Sequence, residues 1–271
     1  MKILSLGAGR QSSTIFLMSC YGEIEKLDAA VFSDTGWEPK AVYRWLEYLI
    51  SEGEKYGIPV HVVSGGNIKN DTLEIQVTGN SGNGRRWGSM PFFVKNEDGS
   101  KGMIRRQCTY EYKIRILEKK MRELAGYKPY ARIPIGEFEV WKGISTDEMR
   151  RMSLSKVRWI EFYYPLIELG MNAQDCLAWC EKRGLKPPRS ACIGCPYHSK
   201  MEWRKMRDNA PDEWQEAIEF DRAIRNCGGM RGQVFLHADR VPLDEVDLSI
   251  PDDFQEQLGL FRDECQGICG V

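Results

Sequence analysis

Hydrophobic positions in the first part of the chain fall into short runs separated by longer stretches of helical spacing. Lys2 to Leu6 is a mainly apolar run that ends in a glycine-rich turn, Gly7-Ala8-Gly9. Thr14 to Ser19 (TIFLMS) then reads as helix, ending near Tyr21-Gly22. Leu27 to Phe32 reads as a second strand and runs into Ser33-Asp34-Thr35-Gly36. Val42, Trp45, Leu46, Leu49 and Ile50 recur at spacings of three and four, which puts them on one helix face. A third short strand, IPVHVV, follows. Strand alternating with helix implies βαβ units and a parallel sheet. The expected fold is therefore α/β, a doubly wound and mostly parallel sheet. Ligands on such sheets sit beyond the carboxyl ends of the strands, where the Gly7 and Asp34 turns both fall.

The rest of the chain reads as follows. Residues 67–100 are rich in Gly, Asn and Ser and predict a long loop with one short hairpin. Arg85, Arg86 and Trp87 within it suit phosphate and base contact, or equally a solvated loop with one anchoring Trp. A basic helix is expected over Met103 to Leu124, and a strand from Phe138 to Gly143 followed by a turn and helix start. Asn172 reads as the N-cap of a further helix, with Cys176 and Cys180 as core thiols. Pro211 splits the helical run from Met201 to Cys227, with Trp203, Met206, Trp214, Ile218 and Ile224 as core. His237 reads as a hydrogen-bonded structural histidine. Residues 1–185 form the expected nucleotide-binding domain, and 186–271 a helical C-terminal extension with a cysteine-containing tail.

Composition narrows the class. The chain has 271 residues, 42% hydrophobic and 28% charged, with a net charge of −1. That is a globular composition and not a polyanion binder as a whole, so any nucleic-acid contact must be a local basic patch. No apolar run approaches membrane-spanning length, and no signal-peptide pattern opens the sequence. A cytoplasmic location is expected, where nine cysteines point to metal or redox chemistry and not to structural disulfides.

Two stretches carry candidate chemistry. Gly7 and Gly9 let the backbone approach an anion, and the helix start beyond them offers free N–H groups. Ser12 and Ser13 add hydroxyls. No Gly-Lys-Ser/Thr follows at Walker spacing, and the third glycine of GxGxxG is missing. An ordinary strand–turn–helix connection reads equally well. The second stretch is Cys192-Ile-Gly-Cys195-Pro. It can place two thiolates on one metal or form a redox pair.

Taken together and in order, these segments resemble the phosphoadenosine phosphosulfate (PAPS) reductase family of PP-loop, HUP-like adenine-nucleotide enzymes. The resemblance makes Gly7, Gly9, Gln11, Ser12 and Ser13 anion contacts and places Ser33, Asp34 and Thr35 near the nucleoside. Lys142-Gly143-Ile144-Ser145 and the residues after it resemble the family segment that closes over the nucleotide's anionic end. That gives Gly143, Asp147, Glu148 and Arg151 site positions, with Ser145 where an Arg is expected. The Cys108-x4-Lys113 spacing resembles the family's cysteine segment. The implied cofactor is a [4Fe–4S] cluster on Cys108, Cys192 and Cys195. Thr109 stands at the fourth ligand, leaving another cysteine (Cys227 or a tail thiol) or an open iron. The tail resembles the Glu-Cys-Gly end of sulfonucleotide reductases, with Cys265 as nucleophile and Cys269 nearby. The implied activity is thiol-dependent reduction of PAPS or APS, with a thioredoxin-like donor. The alternative is ATP-dependent thiolation of tRNA or DNA. Gln11 stands against this alternative, because ATP-cleaving members usually carry Asp there. The expected assembly is a homo-oligomer.

Overall fold

The computed structural model describes residues 1–78, 89–226 and 232–249. Arg85, Arg86, Trp87, Cys227, Cys265 and Cys269 lie outside the described residues.

The chain runs β1 (Lys2–Leu6), α1 (Arg10–Cys20), β2 (Ala29–Asp34), α2 (Lys40–Tyr56), β3 (Val60–Ser64) and α3 (Ile68–Thr78). After these come β4 (Phe93–Lys95), β5 (Lys101–Met103), a π-helical turn (Thr109–Ile114) leading into α4 (Arg115–Leu124), and β6 (Phe138–Trp141). A 3-10 segment (Thr146–Arg151), β7 (Ile160–Tyr163), α5 (Pro165–Glu168) and α6 (Ala173–Glu181) follow. The last described elements are α7 (Lys200–Asn209), α8 (Pro211–Ile224) and β8 (Gln233–Phe235).

Five strands form the central sheet in the order β3-β2-β1-β6-β7, and every neighbouring pair is parallel. Alternate residues of β1 and β2 face opposite sides, as strand geometry requires. Leu4, Leu6, Ala30 and Phe32 pack with Ile15, Phe16, Val42 and Leu49 of α1 and α2. Ile3, Ala29 and Val31 pack with Leu117 and Met121 of α4 on the other side. A wholly parallel sheet covered by helices on both faces fits the doubly wound α/β expectation. Strand order reverses between β1 and β6, so connections leave these two strands in opposite directions and open a crevice at their carboxyl ends.

The stretch expected to be mostly loop contains a helix. α3 occupies Ile68–Thr78, with Ile68 in the core and Thr72 Oγ1 donating to the Ile68 carbonyl at 2.6 Å. The surrounding Gly, Asn and Ser masked it, because the apolar anchors are few. The expected hairpin is present as β4–β5, and β4 also pairs antiparallel with β8. The mid-chain hairpin thus joins the C-terminal helices around a separate core of Phe92, Trp203, Ile218 and Phe220. Asn172 caps α6 as expected, in a capping box with Asp175. Cys176 and Cys180 are fully buried. Burial pushes the Cys176 thiol up to about 12 and the Cys180 thiol up as well, as fits inert core residues.

Asp221 ties the C-terminal unit together. Its side chain is buried and accepts from the backbone N–H of Leu236 at 2.8 Å and of Leu243 at 3.1 Å, and it pairs with Arg225. Asp221→Ala is expected to cost about 3–5 kcal/mol, because it strands a half-buried guanidinium and two buried donors. Denaturant unfolding checks this, and Asp221→Asn should cost less because it keeps an acceptor.

Candidate functional site

The Gly7-Ala8-Gly9 turn leaves β1 at the point of strand reversal. Ala8, not a glycine, holds the left-handed backbone conformation there, with φ of 54°. Strain of this kind persists only where the surroundings impose it, and Ala8 is wholly buried. Gly9 is the N-cap of α1, no side chain caps that end, and its first turn carries no acid. The first N–H groups of α1 therefore lack side-chain acceptors, which is what an anion cradle requires. Ser12 Oγ braces the turn by accepting from Gly7 N at 3.2 Å. Ser13 Oγ accepts from the Trp45 indole at 2.8 Å, so it faces α2.

Gly143 and Ser145 leave the neighbouring strand β6 and are both buried. Ser145 Oγ and Arg10 Nε are buried polar atoms with no hydrogen-bond partner. Buried polar groups are ordinarily paired, so two orphans flanking one turn mark a place prepared for a polar ligand. Gln11 Nε2 donates to Glu148 Oε2 at 3.5 Å, and Glu148 Oε1 pairs with Arg151 at 2.5 Å. Glu148 therefore links the 3-10 segment to the start of α1. Asp147 is exposed and accepts from Ala173 N at 3.1 Å, which turns it toward α6.

At the carboxyl end of β2, Ser33 Oγ donates to the Lys113 carbonyl at 3.3 Å. Asp34 Oδ1 accepts from Gly36 N at 2.8 Å and Tyr43 OH at 2.9 Å, closing an Asx turn. Gly36 has φ of +73°, and an added Cβ would lie 2.9 Å from Asn67 Nδ2, so glycine is required. Thr35 Oγ1 donates to Glu38 Oε1 at 3.1 Å and lies 3.2 Å from Cys192 Sγ. Cys192 Sγ is itself 3.5 Å from Glu38 Oε1, and Lys113 Nζ is 3.8 Å from the same oxygen. The CxxC loop is thus fastened to β2, and Ile193 N also donates to the Trp37 carbonyl at 3.0 Å. The Cys108 segment meets this loop on another side, where the Arg106 guanidinium sits 5.2 Å from the Tyr197 ring centroid.

Arg106 and Tyr197, distant in sequence, therefore meet. Among the described residues, however, no group of three or more His, Cys, Asp or Glu side chains is arranged to hold a metal ion. The Cys192 sulfur lies against Thr35 Oγ1 and Glu38 Oε1. Sequence reasoning did not single out Glu38 or Arg10. Glu38 carries no motif signal and gains its role only when Lys113 and Cys192 converge on it. Arg10 sits inside the glycine-rich turn motif, and a basic residue there was the available clue. No helix among the described residues is long and apolar enough to cross a membrane. No protein-family model matches the chain, and no curated protein matches it.

Two substitutions probe this region. Gly194 lies flat on Trp37, and a Cβ there would come within 2.1 Å of Cη2. Trp37 cannot yield easily, because its Nε1 donates to Glu216 at 2.9 Å and its ring packs on Phe220 at 4.5 Å. Gly194→Ala is expected to destabilise by about 1–3 kcal/mol, read as a lower melting temperature. His198 accounts for a pH dependence. Burial, helped by nearby Arg189, lowers its pKa from 6.5 to about 3, and burial lowers that of His237 to about 4. Both are neutral when folded, so the unfolded chain takes up their protons first as pH falls through 6.5. Each should then remove about 1.4 kcal/mol per pH unit below that point. Denaturant midpoints measured from neutral pH down to about 5 should show this slope, and His198→Asn should remove about half of it, leaving the share of His237.

Proposed function

We propose that this protein is a PP-loop, PAPS reductase-like enzyme that binds an adenine nucleotide and carries out sulfur chemistry. One observation supports this above the others. The uncapped start of α1, with the unpartnered Arg10 Nε and Ser145 Oγ, stands at the same sheet edge as the CxxC loop anchored on Thr35. In this reading the Gly7–Gly9 backbone, Arg10 and Ser12 hold the phosphosulfate end, Gly143 and Ser145 close over it, and the β2 end with Asp34 adjoins the nucleoside. Gln11 and Arg151 act through Glu148. Ser13 and Asp147 orient the surrounding helices.

The tail thiolate of Cys265 attacks the sulfonate sulfur. A sulfur–sulfur bond forms, the bond from sulfur to the bridging phosphate oxygen breaks, and the nucleotide leaves with that electron pair. A thioredoxin-like dithiol then reduces the enzyme thiosulfonate, releasing sulfite and becoming a disulfide. Cys108, Cys192 and Cys195 would hold a [4Fe–4S] cluster whose charge favours the bound sulfate. A second reading, ATP-dependent thiolation of tRNA or DNA, gains from one observation: the Glu148 carboxylate lies beside Gln11, so the turn does not lack an acid.

Sulfite release from PAPS or APS with reduced thioredoxin tests the first reading. Cys265→Ser should abolish sulfite release and leave nucleotide affinity unchanged. Arg10→Ala should weaken nucleotide binding about tenfold, as expected for loss of a charged phosphate contact. AMP or pyrophosphate release that depends on added RNA or DNA, without sulfite, would instead support the second. Iron and sulfide analysis of protein prepared without oxygen decides whether the three thiols close on a cluster.

A further inference from the structure

A cavity of about 510 Å³ lies on the α4 face of the sheet and includes none of the residues placed at the Gly7 turn. Its origin is topological. α4 packs chiefly over β2 and β3, and its buried Leu117 and Met121 join the cluster that includes Phe138, Val140 and Ile160 of β6 and β7. Val140, Ile160 and Phe162 form an apolar floor there, and Leu117 of α4 forms one wall. Segments 105–110 and 153–157 rise at the rim.

Two features give this cavity a chemical preference. Three cationic side chains, Arg105, Arg106 and Lys156, line it against a single carboxylate, Glu118. Arg105 and Lys156 are exposed, and among the described residues they take part in no ion pair. The second feature is Thr109, which is only 6% exposed and lines the cavity. Its Oγ1 is buried without a hydrogen-bond partner, a condition that calls for an explanation in a folded protein. Tyr110 beside it is 57% exposed, a large aromatic at the mouth.

The geometry points to this cavity as a second binding site, for a nucleotide unit, with its base on the apolar floor, a polar base edge on Thr109 Oγ1 and its phosphate on Arg105 and Lys156. The volume falls in the range of small-ligand pockets. Tyr110 offers a stacking surface for a flat ring, and arginine and lysine are the ordinary partners of phosphate. The same chemistry is presented by a free mononucleotide and by one residue of a single strand. The site shares no residue with the Gly7 turn, and its Thr109 adjoins Cys108 in the chain.

Binding of AMP by calorimetry, and of a fluorescent single-stranded oligonucleotide by anisotropy, tests the proposal on the full chain. Thr109→Val is expected to weaken binding about 5-fold, the effect of one lost hydrogen bond. It should not lower the melting temperature, because the hydroxyl has no partner within the protein. Arg105→Ala with Lys156→Ala should reduce the slope of log affinity against log salt for the oligonucleotide by about 0.7, the loss of one neutralised phosphate. An effect confined to the oligonucleotide assigns the cavity to a strand. Loss of one AMP equivalent assigns it to a free nucleotide, because AMP held at the Gly7 turn is untouched by Thr109→Val. Wild-type protein that binds neither probe, or variants that bind both as wild type does, would overturn the proposal.

Discussion

Parallel pairing of β1 with β6, Lys2 to Leu4 against Glu139 to Trp141, sets the geometry of the whole molecule. Parallel strands send their carboxyl ends to one edge. Here the chain leaves β1 toward β2 and leaves β6 toward β7, so the two exits diverge and the edge opens between them. The glycine-rich turn and the Gly143–Ser145 segment face each other across that opening. Helix α1 adds its unsatisfied N–H groups at the same place. Each of these features is ordinary alone, and their coincidence gives the edge its chemical character.

Around that opening, polar groups are held by long-range contacts. Glu38 is the clearest case: its carboxylate is reached by Thr35 from the same turn, by Lys113 from the π-helical turn and by Cys192 from the CxxC loop. A buried carboxylate is costly without such company, and the company comes from three separate stretches of chain. The arrangement fastens the CxxC loop to the end of β2. It also makes Gly194 necessary, since Trp37 occupies the space a side chain would need.

The same topology creates the second cavity. α4 returns the chain from β3 to β6 across one face of the sheet. It packs chiefly over β2 and β3, and segments 105–110 and 153–157 border the cavity over β6 and β7. Loops carry exposed charges such as Arg105 and Lys156, whereas a covering helix would have brought apolar side chains to the same floor. The open sheet edge and the basic cavity are therefore two consequences of one strand order.

Local sequence determined the strands and helices wherever period and punctuation agreed. Alternation of short apolar runs with helical faces announced the parallel sheet, and Asn172, Pro211 and the Gly7 turn marked element ends because caps, prolines and glycines act within a few residues. What local sequence could not determine was α3, whose few apolar anchors are diluted by polar neighbours, or the pairing of β4 with β8 across more than half the chain. Nor could it reveal Glu38 as a meeting point, Asp147 turned to α6, or the unpartnered Thr109 and Ser145 hydroxyls. Those depend on which surfaces come together once the sheet closes. Only the tertiary structure decides burial, and burial determines whether a polar atom meets water, a protein partner or a place left for a ligand.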